Sequence, residues 1–175
     1  MILKGFKQKS IKKYINKLLS EDQLRVADGK IERLGIVFNL DEIDDFERFK
    51  ELSNGLKVHP NKLNIIAFSS KKEEILKSWE ICYNPKDFGW NGTIHNSELQ
   101  TFLNTEFDAL ISYYEKEVAE MKLITALSEA RFKIGILQTD ERLNDLIIKT
   151  SIHEFNVFKT EIFKYLTILN KIKNE

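Results

Sequence analysis

Phe107–Leu137 reads FDALISYYEKEVAEMKLITALSEARFKIGIL. Two short apolar runs, Phe107–Tyr113 and Phe132–Leu137, are rich in β-forming side chains, and between them Val118, Met121, Ile124 and Leu127 fall three apart. The runs suit strands, and the spacing suits a helix that lays one apolar stripe on them. The joining segment has about the minimum length of a crossover, so the stretch predicts a βαβ unit with parallel strands.

Towards the N-terminus, Leu34–Phe38 reads as a strand closed by Asn39-Leu40-Asp41, with Asp41 placed to cap a helix and Asp44 in its first turn. Ile43, Phe46, Phe49 and Leu52 keep one face of that helix on the sheet until Asn54-Gly55 ends it. The strand Leu63–Phe68 completes a second strand–helix–strand unit and supports a parallel core. Ser69–Ser78 is short for a full crossover, so Trp79–Tyr83 is expected at an edge or antiparallel to its neighbour. In the loop Asn84–Asn96, Asn91-Gly92 suits a hairpin of Phe88–Trp90 on Thr93–His95, and Ser97 with Gln100 predicts a short capped helix.

Towards the C-terminus, Ile134–Leu137 and Asp145–Lys149 are separated only by Gln138–Asn144, which leaves no room for a covering helix, so that as sheet neighbours they are expected to pair antiparallel. Ser151 and Glu154 open a last helix whose Phe155, Phe158, Ile162, Leu166, Leu169 and Ile172 form a continuous stripe. The expected fold is a three-layer α/β sandwich over residues 31–175. Its five- or six-stranded sheet is mostly parallel with one or two antiparallel edge strands, and a basic amphipathic helix precedes it within residues 1–20.

With 175 residues, 42% of them hydrophobic and 12 of them Phe, the chain can fill one core, and its net charge of zero argues against wholesale disorder. The single cysteine, Cys82, excludes an internal disulfide, and no apolar signal segment follows the first lysines, so a cytoplasmic location is expected. No apolar run approaches the ~18–20 residues of a membrane-spanning helix. Charge is unevenly placed: six of the 27 basic residues and none of the 27 acidic ones lie in Met1–Ser20, which leaves the rest at −6. There Ile11, Tyr14, Ile15, Leu18 and Leu19 share a helical face, while Lys9, Lys12, Lys13 and Lys17 take the remainder. Such a helix either packs its stripe on the sheet with its lysines in water, or offers them to an acidic membrane or nucleic acid. No RRM-like, KH-like or zinc-finger pattern accompanies the lysines.

No motif in the chain specifies a reaction. His59, His95 and His153 lack ligand-spaced partners, so no metal is expected; Cys82 has no adjacent base, and no G-x-S-x-G elbow occurs. Lys86-Asp87-Phe88-Gly89 holds the magnesium-binding triplet of kinases without a glycine-rich loop or catalytic loop. The glycines form neither G-x-G-x-x-G nor a Walker loop, so no cofactor is expected. An open α/β sheet binds ligands beyond the carboxyl ends of its strands. That rim comprises Asn39, Asp41, Ser69, Ser70, Lys72, Ser112, Tyr114, Glu115 and Gln138, enough for a polar ligand. Asp87, Phe88, Trp90 and His95 make the Asn84–Asn96 loop a second candidate contact surface.

Asp87-Phe88-Gly89-Trp90-Asn91-Gly92, Phe107-Asp108-Ala109-Leu110-Ile111 and Ser128-Glu129-Ala130-Arg131-Phe132-Lys133-Ile134-Gly135 resemble an uncharacterised family of small bacterial α/β proteins. That resemblance implies the fold and no activity. Phe107–Gly135 is also similar to the acceptor half of heptosyltransferase-like glycosyltransferases, without their glycine-rich N-terminal loop or second domain. Three functional expectations follow. The first is a non-catalytic binding or assembly module, homodimeric or with a protein partner. The second is a domain that binds or transforms a phosphorylated or nucleotide-sugar-like ligand at the rim. The third is peripheral attachment to acidic membrane or nucleic acid through the lysines.

Overall fold

Leu34–Asn39 (β1) is buried at every position and lies at the centre of the sheet. It pairs in parallel with Leu63–Phe68 (β2) on one side, Leu34 opposite Leu63, and with Ala109–Tyr113 (β4) on the other, Leu34 opposite Ala109. The order is β3-β2-β1-β4-β5-β6, with Cys82–Tyr83 as β3, Lys133–Ile136 as β5 and Leu146–Ile148 as β6. This computed structural model describes residues 2–21, 28–71, 82–137 and 140–172, with side chains from Gly5 onward. Lys72, Gln138 and the first residues of the expected Trp79–Tyr83 strand lie outside the described residues.

All five pairings are parallel, which corrects the expectation of reversed edge strands. The β5–β6 connection, residues 137–145, carries the 3-10 turn Glu141–Leu143 in place of a covering helix. A dozen-residue crossover is needed to return along a full-length strand, whereas strands of four and three residues need a return of only ~10–14 Å. The buried Leu143 covers the sheet there. β3 pairs only as Ala67 with Cys82 and Phe68 with Tyr83, and is likewise parallel.

Strand side chains alternate between two cores. Leu34, Ile36, Phe38, Ala109, Ile111 and Tyr113 face one, beneath Phe46–Gly55 (α2) and Phe155–Ile168 (α5). Val37, Ile66, Phe68 and Leu110 face the other, beneath Ile2–Glu21 (α1), Ser97–Leu103 (α3) and Ala119–Leu127 (α4). Helices α2 and α4 therefore lie on opposite faces. That follows when two crossovers of one hand run outwards in opposite directions from a central strand pair.

The α1 stripe is part of the second core: Ile11, Ile15 and Leu19 are buried against α4 and the sheet. The Asn84–Asn96 loop packs under the same helix. Asn91 and Gly92 both have positive φ, 61° and 78°, as an Asn-Gly hairpin turn requires, and Phe88 bridges Ile94 in antiparallel fashion.

Candidate functional site

Strand order reverses between β1 and β4, so the crevice beyond their carboxyl ends is where this architecture places a ligand. A cavity of about 420 Å³ lies there, lined by Asp41, Glu42, Glu115, Lys116, Ile152 and His153. Its chemistry follows from the loop after β1, Leu40 to Asp45, which holds four acids and no glycine.

Three of these acids, Asp41, Glu42 and Asp45, and Glu115 across the crevice are used by the chain itself. Glu42 accepts from the Lys116 N–H at 3.0 Å, the Glu115 N–H at 3.3 Å and the Asn39 side-chain amide at 2.8 Å. Its carboxylate thus joins the β1 and β4 loops across the crevice. Asp41 accepts from the Ser69 and Ser70 hydroxyls at 2.6 and 2.5 Å and from the Ser70 N–H at 2.9 Å, fastening the β2 loop. Partial burial of Asp41 opposes ionisation, but those donors together with the Lys71 charge hold its carboxyl below the ordinary range. Glu115 accepts from the Ile152 N–H at 3.2 Å. Asp45, not Asp41, caps α2, accepting from the Arg48 N–H at 3.1 Å and pairing with the Arg48 guanidinium at 2.9 Å.

The helix N-terminus that would hold an anion is therefore filled by a carboxylate of the chain. A phosphate entering this crevice meets acids where dinucleotide-binding relatives of the architecture present glycine N–H groups. Lys116 is the single lysine of the lining. Among the described residues no three His, Cys, Asp or Glu side chains converge on a metal position.

The other rim residues divide by direction. Asn39 is buried at the end of β1, where its carbonyl accepts from the Glu42 and Ile43 N–H groups. Ser112 and Tyr114 point into the second core, not the crevice: their hydroxyls meet Thr125 Oγ1, each at 3.0 Å. Burial pushes the Tyr114 phenol up, although its bond to Thr125 works against that shift. Glu42, Lys116, Ile152 and His153 complete the crevice. Of these Glu42 and Lys116 had a local signal, as neighbours of the rim residues Asp41 and Glu115; Ile152 and His153 arrive from the loop before α5.

In the Asn84–Asn96 loop, Asp87 is a structural acceptor, bonded by the Asn84 N–H at 2.7 Å and the Asn96 amide at 3.3 Å. Phe88 is buried against Tyr83, with ring centroids 5.7 Å apart, so it belongs to the core and not to a contact surface. Trp90 and His95 are exposed. Lys7 Nζ donates to the Pro85 and Phe88 carbonyls at 2.7 and 2.5 Å, and Ser10 Oγ to Asn91 Oδ1 at 2.6 Å. Helix and loop form one surface, on which Phe6 is 58% and Trp90 51% exposed. Lys9, Lys12, Lys13 and Lys17 are exposed beside them. A larger cavity, about 580 Å³, runs beside β2 between α2 and α3, with Leu63, Ile65, Ile66 and Phe102 in its lining.

Sheet order and crevice define a Rossmann-like, doubly wound α/β protein whose switch point is acidic. Residues 7–169 match the Family of unknown function (DUF6913), and the chain belongs to that family. No curated protein and no solved structure matches it. The aspartate of the glycosyltransferase-like stretch, Asp108, accepts from the Glu32 and Arg33 N–H groups at 3.0 and 2.8 Å. It therefore ties the amino ends of β1 and β4, away from the crevice. No helix among the described residues is long and apolar enough to cross a membrane.

Proposed function

We propose that this protein is a non-catalytic binding module of the bacterial cytoplasm, with α1 and the Asn84–Asn96 loop as its contact surface. One observation carries the reading: Lys7 and Ser10 fix the loop to the helix, so Phe6 and Trp90 are held in water on a preformed surface. Large exposed aromatics are costly to leave wet and mark interaction sites when they are grouped and rigid. The use of Glu42, Asp41 and Glu115 as loop fasteners supports the same reading, because each carboxylate is engaged by N–H groups of the chain itself.

The test is photocrosslinking in cells with a benzophenone amino acid at position 6, 90 or 157. Val157 is also exposed, on the opposite helical layer, and serves as the control. Adducts at 6 and 90 but not at 157 are expected, whether to a second copy, another protein or lipid. Adducts confined to 157 would overturn the reading.

A second reading is favoured by the 420 Å³ crevice itself: a small ligand held at the switch point. Its acidic lining suits amine or hydroxyl donors better than the phosphorylated ligand expected from sequence. A thermal-shift screen separates the two, since a ligand at ~100 times its Kd stabilises by about 2.7 kcal/mol.

A further inference from the structure

We propose that the surface formed by α1 and the Asn84–Asn96 loop docks on an anionic lipid bilayer, an inference that rests on that surface being the contact face. At 100° per residue, Phe6, Lys9, Lys13 and Lys17 fall on one outer stripe of α1, opposite the buried Ile11 and Ile15. Trp90 stands at the flank of that stripe, because its neighbours Phe88 and Asn91 are bonded to Lys7 and Ser10. The surface therefore joins exposed lysines to two exposed aromatics along about three turns of the helix.

Three features select a bilayer. Aromatic side chains with lysines beside them match the headgroup level, where rings enter the boundary and ammonium groups stay among the phosphates. The first 20 residues contain no arginine, so the surface lacks the bidentate forks that read base edges. The lysines lie on the convex outside of a helix, whereas single-strand binders stack bases along a groove. Charge directs the docking, because six lysines at one end of a chain otherwise at −6 turn that end towards an anionic surface. The apolar stripe of α1 is already buried in the core, so the helix docks by its polar face and does not insert. Attachment of this kind is shallow, reversible and sensitive to salt.

The test is co-sedimentation of the full chain with phosphatidylcholine vesicles, with and without about 30% phosphatidylserine. Binding is expected only to the anionic vesicles, with more than ~tenfold loss between low and ~0.3 M salt. The K9E/K13E/K17E variant is expected to lose ~100-fold or more, at roughly fivefold per lysine removed and more for reversal. F6S/W90S, which leaves the charge unchanged, is expected to lose about tenfold. All five positions are exposed, so both variants should keep the native Tm, and that is measured alongside. Equal binding to neutral vesicles, no binding at low salt, or tighter binding to an oligonucleotide than to anionic vesicles would each overturn the proposal. Protein adducts at positions 6 and 90 without vesicle binding would overturn it while leaving the contact surface standing. Absence of adducts at both positions together with absence of vesicle binding would remove both.

Discussion

Glu42 satisfies two backbone N–H groups and one side-chain amide with a single carboxylate, so its removal leaves three donors without an acceptor at the centre of the crevice. Glu42→Ala should destabilise the fold by about 2 kcal/mol and Glu42→Gln by less, because one acceptor oxygen survives. Urea unfolding reads both, and an unchanged midpoint for Glu42→Ala would deny Glu42 its fastening role. Asp41 adds a pH dependence whose sign is fixed by its lowered folded value. The folded state binds this proton less readily than the unfolded chain, whose value is near 3.8, so the stabilisation is present above that pH. It is lost as pH falls from about 5 through the depressed folded value. S69A/S70A should flatten that acid-side slope and leave the neutral-pH plateau lower. A slope equal to wild type would show that the hydroxyls do not hold the charge. None of this was legible locally: Asp41 looks like a helix cap in sequence, and only the neighbouring β2 loop shows what it bonds.

Among the elements, α1 and the Asn84–Asn96 loop depend on one close approach. Gly92 has φ +78°, and a Cβ there would come within 2.7 Å of the Tyr14 ring and 3.0 Å of Leu123. Gly92→Ala should cost about 1–3 kcal/mol and raise amide exchange in α1 above that in the central strands. Uniform exchange changes across the sheet would argue against local loosening of the helix. Helix α1 was readable as amphipathic because its apolar residues recur at helical spacing. Its docking site was not, because the loop beneath it is joined to it by Lys7 and Ser10, residues that look like ordinary surface polars. Strands β3 and β6 show the same limit. Their composition marked them as strands, but direction follows from how far the chain must travel to return, and that depends on strand lengths set by pairing.

On the scale of the whole molecule, β1 is covered on both faces, with α1 contributing Ile11, Ile15 and Leu19 to one of the two layers. Deleting residues 1–21 uncovers that layer and removes three buried aliphatic side chains. A loss of about 5 kcal/mol and enhanced binding of a hydrophobic dye are expected, at ~1.5–3 kcal/mol per side chain. A truncated chain with the full Tm would show that α1 is an appendage. The sequence by itself determined which segments are strands or helices, the parallel core, and the separation of a lysine-rich end from an acidic remainder, because periodicity and charge are properties of neighbouring residues. Only the tertiary structure decided that every strand is parallel, that Ser112, Tyr114 and Phe88 point inwards, and that the crevice acids are consumed by loops. Those outcomes depend on which backbone groups residues far apart in the chain present to one another, and no local pattern encodes such a meeting.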